Sequence, residues 1–153
     1  MSRAGYSAFL VLLACSVPPP GTGVNPESRS LSVTVHASRS DVLSALSAAA
    51  TELGMSVADA NAGAGFWRST RVHMGNTGFA GALVGSSGMD VELTVNLQDV
   101  PPDSVLFQVS GNFGFSDAEN RYARERHPIT RDSRAAWAYI DSLAVKAKRR
   151  LGS

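Results

Sequence analysis

The stretch MDVELTVNLQDVPPDSVLFQVSGNFGF, residues 89 to 115, decides the fold. Met89, Val91, Leu93, Val95 and Leu97 alternate with Asp90, Glu92, Thr94, Asn96 and Gln98. Val105, Phe107, Val109, Gly111, Phe113 and Phe115 then alternate with mostly polar neighbours. Successive side chains of a strand point to opposite faces, so each run predicts a strand with one buried and one wet face. Residues 99 to 104, which contain Pro101, Pro102 and Asp103, predict the turn between them. Antiparallel sheets are the kind that leave one face in water.

Working outward, Leu31, Val33, Val35 and Ala37 alternate with Ser32, Thr34, His36 and Ser38, which predicts a first strand. Ser38 and Asp41 stand in capping-box-like spacing at the head of a helix. Val42, Leu43, Leu46, Ala49, Ala50 and Leu53 form its apolar stripe, and Gly54 ends it. Residues 55 to 59 and 66 to 74 are further strand candidates, separated by a turn-rich stretch. Residues 116 to 131 read as a polar connection, with Pro128 interrupting any helix begun before it. A terminal helix follows, with Thr130 or Asp132 as its expected cap. Ala136, Trp137, Ile140, Leu143, Ala144, Ala147 and Leu151 fall on one side of it. Lys146, Lys148, Arg149 and Arg150 crowd its last turn, where they meet the negative end of the helix dipole.

The expected fold is therefore α+β: an antiparallel sheet of four to five strands with two helices on one face, in the order strand, helix, strands, helix. The open face should carry His36, Glu92, Thr94, Gln108 and Ser110. A chain of 153 residues accommodates one such domain, here residues 30–153, and its ordinary composition excludes fibrous or disordered classes.

The N-terminal residues have a different character. Arg3 precedes a short apolar core of Ala8, Phe9, Leu10, Val11, Leu12, Leu13 and Ala14, too short to span a bilayer, and Cys15 and the prolines 18 to 20 follow. Leu12, Leu13, Ala14 and Cys15 resemble the lipobox of bacterial lipoproteins. That resemblance implies a signal peptide over residues 1–14, cleavage before Cys15 and acyl chains on its thiol. Several chains together anchor stably where one does not. With Ser16 rather than an acidic residue next, it further implies the outer membrane of a cell that has two. Residues 15–29, rich in Pro, Gly, Ser and Asn, would be the tether.

The element order over residues 31 to 151 is similar to the helix-grip domains of BamC-like envelope lipoproteins. This resemblance supports the architecture and carries over no functional residue beyond Cys15.

Charge is unevenly spread. Residues 15–118 hold four basic and nine acidic side chains, whereas residues 119–153 hold nine basic and four acidic. Arg121, Arg124 and Arg126 belong to the basic arm together with Arg131 and Arg134. They read either as a solvated surface or as a patch for lipid head groups or an acidic partner. Only Tyr122 lies among the arginines as an aromatic, and an exported chain does not meet nucleic acid, so none is expected.

Seven of the 14 glycines fall between residues 63 and 88, around Phe79, Leu83 and Val84. The stretch is either a loop folded back on the core or one that enters lipid or a partner's groove. It lacks the lysine of a phosphate-cradling loop. His36, His73 and His127 are far apart, no His pair has helical zinc spacing, and no serine sits in a nucleophile elbow. Asp90 and Glu92 read as part of a solvent-facing row. No metal, cofactor or catalytic residue is therefore expected.

The leading expectation is a lipid-anchored envelope protein, facing the periplasm or cell exterior, that acts by protein contact as an accessory or scaffold subunit of a membrane-associated complex. Its partners would be the membrane, through Cys15, and an envelope protein. The alternative is a carrier of a small apolar ligand in a cavity between sheet and terminal helix, lined by residues such as Trp137, Phe107 and Phe113.

Overall fold

The computed structural model describes residues 29–74, 88–116 and 125–152. Among these residues the order is β1 (Ser30–Val35), α1 (Arg39–Glu52), β2 (Val57–Asn61), β3 (Phe66–Ser69), β4 (Val72–Met74), β5 (Gly88–Val100), β6 (Ser104–Ser116), β7 (His127–Pro128) and α2 (Arg134–Arg150). The described residues form an α+β arrangement of one antiparallel sheet and two helices.

The hairpin read from residues 89 to 115 is the spine of the sheet. β5 and β6 are 13 residues each and pair along their whole length, from Gly88 opposite Ser116 to Val100 opposite Ser104. The expected turn is shorter than six residues, because pairing continues inward until only residues 101–103 remain.

The sheet has seven strand segments, yet they fill five places across it. β3 and β4 both pair with β5, one after the other, and β1 and β7 both pair with β6. β2 closes the opposite side against β3. The expected strand over residues 66 to 74 is thus a single run broken in the middle. Arg68 opposes Thr94 whereas Val72 opposes Val91, so four steps on one strand match three on the other. One extra residue produces a bulge there.

The odd-numbered side chains of the hairpin from Met89 to Leu97 and from Val105 to Val109 form the covered face. Met89, Val91, Leu93, Val95, Leu97, Val105, Phe107 and Val109 are buried in one cluster with Leu46, Ala49, Trp137, Ile140 and Leu143 of the helices. Trp67 joins them with no exposed surface, and its indole N–H donates to Ser47 Oγ at 3.2 Å. Burying a large aromatic or aliphatic side chain contributes roughly 1.5–3 kcal/mol, so this layer dominates stability.

The helix ends follow local chemistry. Ser38 caps α1, its hydroxyl accepting from the Asp41 N–H at 3.2 Å and donating to the Asp41 carboxylate at 2.6 Å. Gly54 leaves the helix at φ +74°, a left-handed conformation that suits glycine. α2 begins later than Thr130 or Asp132 would place it: Ser133 is the cap residue, and its hydroxyl makes no cap hydrogen bond. Ser133 N–H instead closes a turn onto the Thr130 carbonyl at 2.9 Å, which uses the expected capping residue before the helix starts. No described helix is long and apolar enough to cross a membrane.

Candidate functional site: a charged cluster on the open face

Most even-numbered hairpin residues behave as the alternation predicts. Asn96, Gln98 and Gln108 are exposed, and Thr94 and Ser110 are partly so. Asp90 departs from that pattern, as does Ser116, and corrects the expectation of a solvent-facing row, for the Asp90 side chain is completely buried. Among the described residues, two guanidinium groups meet it from opposite sides of β5. Arg126 Nη1 lies 3.2 Å and Arg71 Nε 3.5 Å from Asp90 Oδ2. Charge compensation of this kind is what allows a carboxylate to leave water.

Each partner arrives by a separate structural route. Arg71 sits at the break between β3 and β4, where the extra residue turns it toward the open face. Arg126 precedes β7 and reaches back over β6. Its Nη2 donates to the Asn112 carbonyl at 3.1 Å and lies 3.4 Å from the Glu92 carboxylate. The Arg126 side chain is 18% exposed, and its buried Nε–H has no hydrogen-bond partner among the described residues. Beside Asp90, Ser116 Oγ donates to the Gly88 carbonyl at 3.1 Å and meets His73 Nδ1 at 3.3 Å.

Ile129 completes this end of the sheet. Its N–H donates to the Gly111 carbonyl at 2.9 Å and its side chain is fully buried. A Cβ on Gly111 would lie 2.6 Å from the Glu92 carbonyl and 3.0 Å from Ile129 Cδ1, so glycine makes room for the returning chain. Phe113 packs edge-on against Phe115 at 5.7 Å between ring centres, and Phe115 is half exposed.

At the other end of the sheet, an open groove of about 470 Å³ is lined by residues including His36, Asp41, Ser44 and Arg150. His36 Nδ1 is taken up by Ser104 Oγ at 2.8 Å. Glu52 clamps the helices together, accepting from Lys146 at 2.6 Å and from Arg150. Hydrogen bonds from Lys146 first, then Arg150, hold its carboxyl down at about 2. Burial raises the Tyr139 hydroxyl.

Of the candidate contact residues read from sequence, Arg126 falls in the cluster. Cys15, Phe79, Leu83, Val84, Arg121 and Arg124 lie outside the described residues, as do the rest of residues 1–14 and 15–28, where the signal peptide and tether are expected. The members that sequence reasoning missed are Asp90, Arg71, His73 and Ser116. Asp90 and Arg126 are 36 positions apart, and strand alternation carries no sign of a partner crossing from the far edge. Among the described residues no group of His, Cys, Asp or Glu is arranged to hold a metal ion.

No protein-family model matches the chain, and no curated protein matches it. Among solved structures it is similar to a DUF4468 family protein from Bacteroides ovatus, with a TM-score of 0.47 and 9% identity. The match covers 85% of this chain and 90% of that one.

Proposed function

We propose that the chain is a lipid-anchored envelope protein whose domain serves as an accessory or scaffold subunit of a membrane-associated complex, through protein contacts. The observation that carries this reading is a shared end of the sheet. Gly88 lies opposite Ser116, and Met74 opposite Met89, so residues 75–87 and 117–124 both attach at one end. The first segment contains Phe79, Leu83 and Val84, and the second contains Arg121 and Arg124. Half-exposed Phe115 marks the same end. Aromatic side chains and arginines are among the residues enriched at the centres of protein interfaces.

Lipidation at Cys15 supplies location in this reading. Residues 15–29 supply a reach of roughly 50 Å when extended, at about 3.3 Å per residue. Of the residues that would line a ligand cavity, Phe107 exposes no surface and Trp137 little, which supports contact over carriage of an apolar ligand, whereas Phe113 is only partly buried.

Purification of the native protein in mild detergent, with identification of what accompanies it, tests the subunit role. Deleting residues 78–85, or replacing Arg121 and Arg124 by serine, should strip the accompanying protein while leaving the fold intact. Recovery of the wild type solely as a free monomer overturns the reading. Cys15→Ser separately tests the anchor: retention in the membrane fraction with unchanged maturation overturns it.

A further inference from the structure

The Arg126 guanidinium ties the short returning segment to β5 and β6. β7 is two residues long, and one of them, Pro128, has no N–H to give to the sheet. The returning segment is held by the Ile129 peg, the contact between the His127 and Phe113 rings at 6.0 Å, and the Arg126 guanidinium. The guanidinium bridges three groups of β5 and β6: Asp90, Glu92 and the Asn112 carbonyl.

We propose that Asp90 and Arg126 form an electrostatic latch that fixes residues 125–128 over β6 and can open without unfolding the sheet. Two features make a local opening feasible. Asp90 has a second guanidinium, Arg71, so release of Arg126 does not leave the buried carboxylate without a countercharge. In the closed position Arg126 keeps a buried Nε–H without a partner, a cost that water removes once the side chain swings out. Opening converts Arg126 from an internal clamp into an exposed fork able to take a carboxylate or phosphate in bidentate fashion. Asp90 is thus a positioning residue for Arg126. The inference uses neither the lipid anchor nor a partner, and it survives if the subunit reading fails.

The test compares local with global opening in the purified domain. Asp90→Asn keeps the shape and removes the charge. Native-state trypsin cleavage after Arg126 should accelerate about tenfold or more, the factor expected for loss of one charge-assisted hydrogen bond. Amide exchange along the ladder between β1 and β6 should stay as in the wild type. Arg126→Lys, which keeps a charge but loses the second donor arm, should fall between the two. Cleavage unchanged in Asp90→Asn, or rising only in step with exchange of the whole sheet, overturns the latch. If Asp90→Asn does not fold, Arg126→Gln provides the reading through exchange of the Ile129 amide: faster exchange there alone supports the latch, and no change or a uniform change overturns it.

Discussion

The two faces of one hairpin solve opposite problems with the same backbone. On the covered face, Val91, Leu93, Val95, Phe107 and Val109 are buried by helices and need nothing except close packing. On the open face, most residues stay in water, and Asp90 is fully buried under the care of two arginines. Burial on the first face is favourable for every group it touches. On the second it is tolerable only while the partners stay, since a stranded buried charge costs several kcal/mol. The covered face therefore sets how stable the molecule is, and the open face decides which arrangement of the returning chain is stable.

That contrast breaks most visibly at Phe107. Phe107→Ala should cost about 4 kcal/mol in denaturant unfolding, the toll for emptying a filled core site in a central strand. Asp90→Ala should cost about 3 kcal/mol because it removes the buried carboxylate that Arg71 and Arg126 share. Asn96→Ala, six residues farther along on the same face, should stay within about 0.5 kcal/mol. Equal losses at Asp90 and Asn96 would erase the distinction within the open face. Gly111→Ala should lose about 2 kcal/mol through overpacking against the Glu92 carbonyl and Ile129. The loss should shrink when Ile129 is also shortened to valine.

The smallest effect belongs to an exposed counterpart of the buried cluster. Glu52, between Lys146 and Arg150, has its carboxyl held at about 2 from an ordinary 4.5. Its folded-state value is depressed, so its contribution is in place above about pH 4.5 and disappears as pH falls toward 2. Glu52→Gln should lower the melting temperature slightly at neutral pH and leave it unchanged near pH 2. A difference that persists at the acid limit would show that shape rather than charge holds the helices there.

The covered face was legible because alternation at period two and a stripe at period 3.6 report burial directly. Val91, Leu93 and Val95 on the hairpin, and Ile140, Leu143 and Ala144 on α2, read as core and are core. Ser38 was legible as a cap because its chemistry is complete within four residues. The cluster was not, because its members come from four separate segments and meet through register and a bulge. Alternation assigned Asp90 correctly to the open face, yet a face is not an exposure. Ser133 escaped notice as the start of α2 because its hydroxyl makes no cap bond that local pattern reports.

The break between β3 and β4 has a consequence for how this chain can vary. With regular pairing from Arg68 onward, residue 71 would oppose Val91 and point among the helices, whereas the extra residue hands that place to Val72. Exchanges of one side chain for another near residues 70 and 71 should accumulate freely in descendants of this protein, provided an arginine keeps its station. Loss or gain of a single codon there would invert every face beyond it. Length, more than identity, is what inheritance has to preserve at that point.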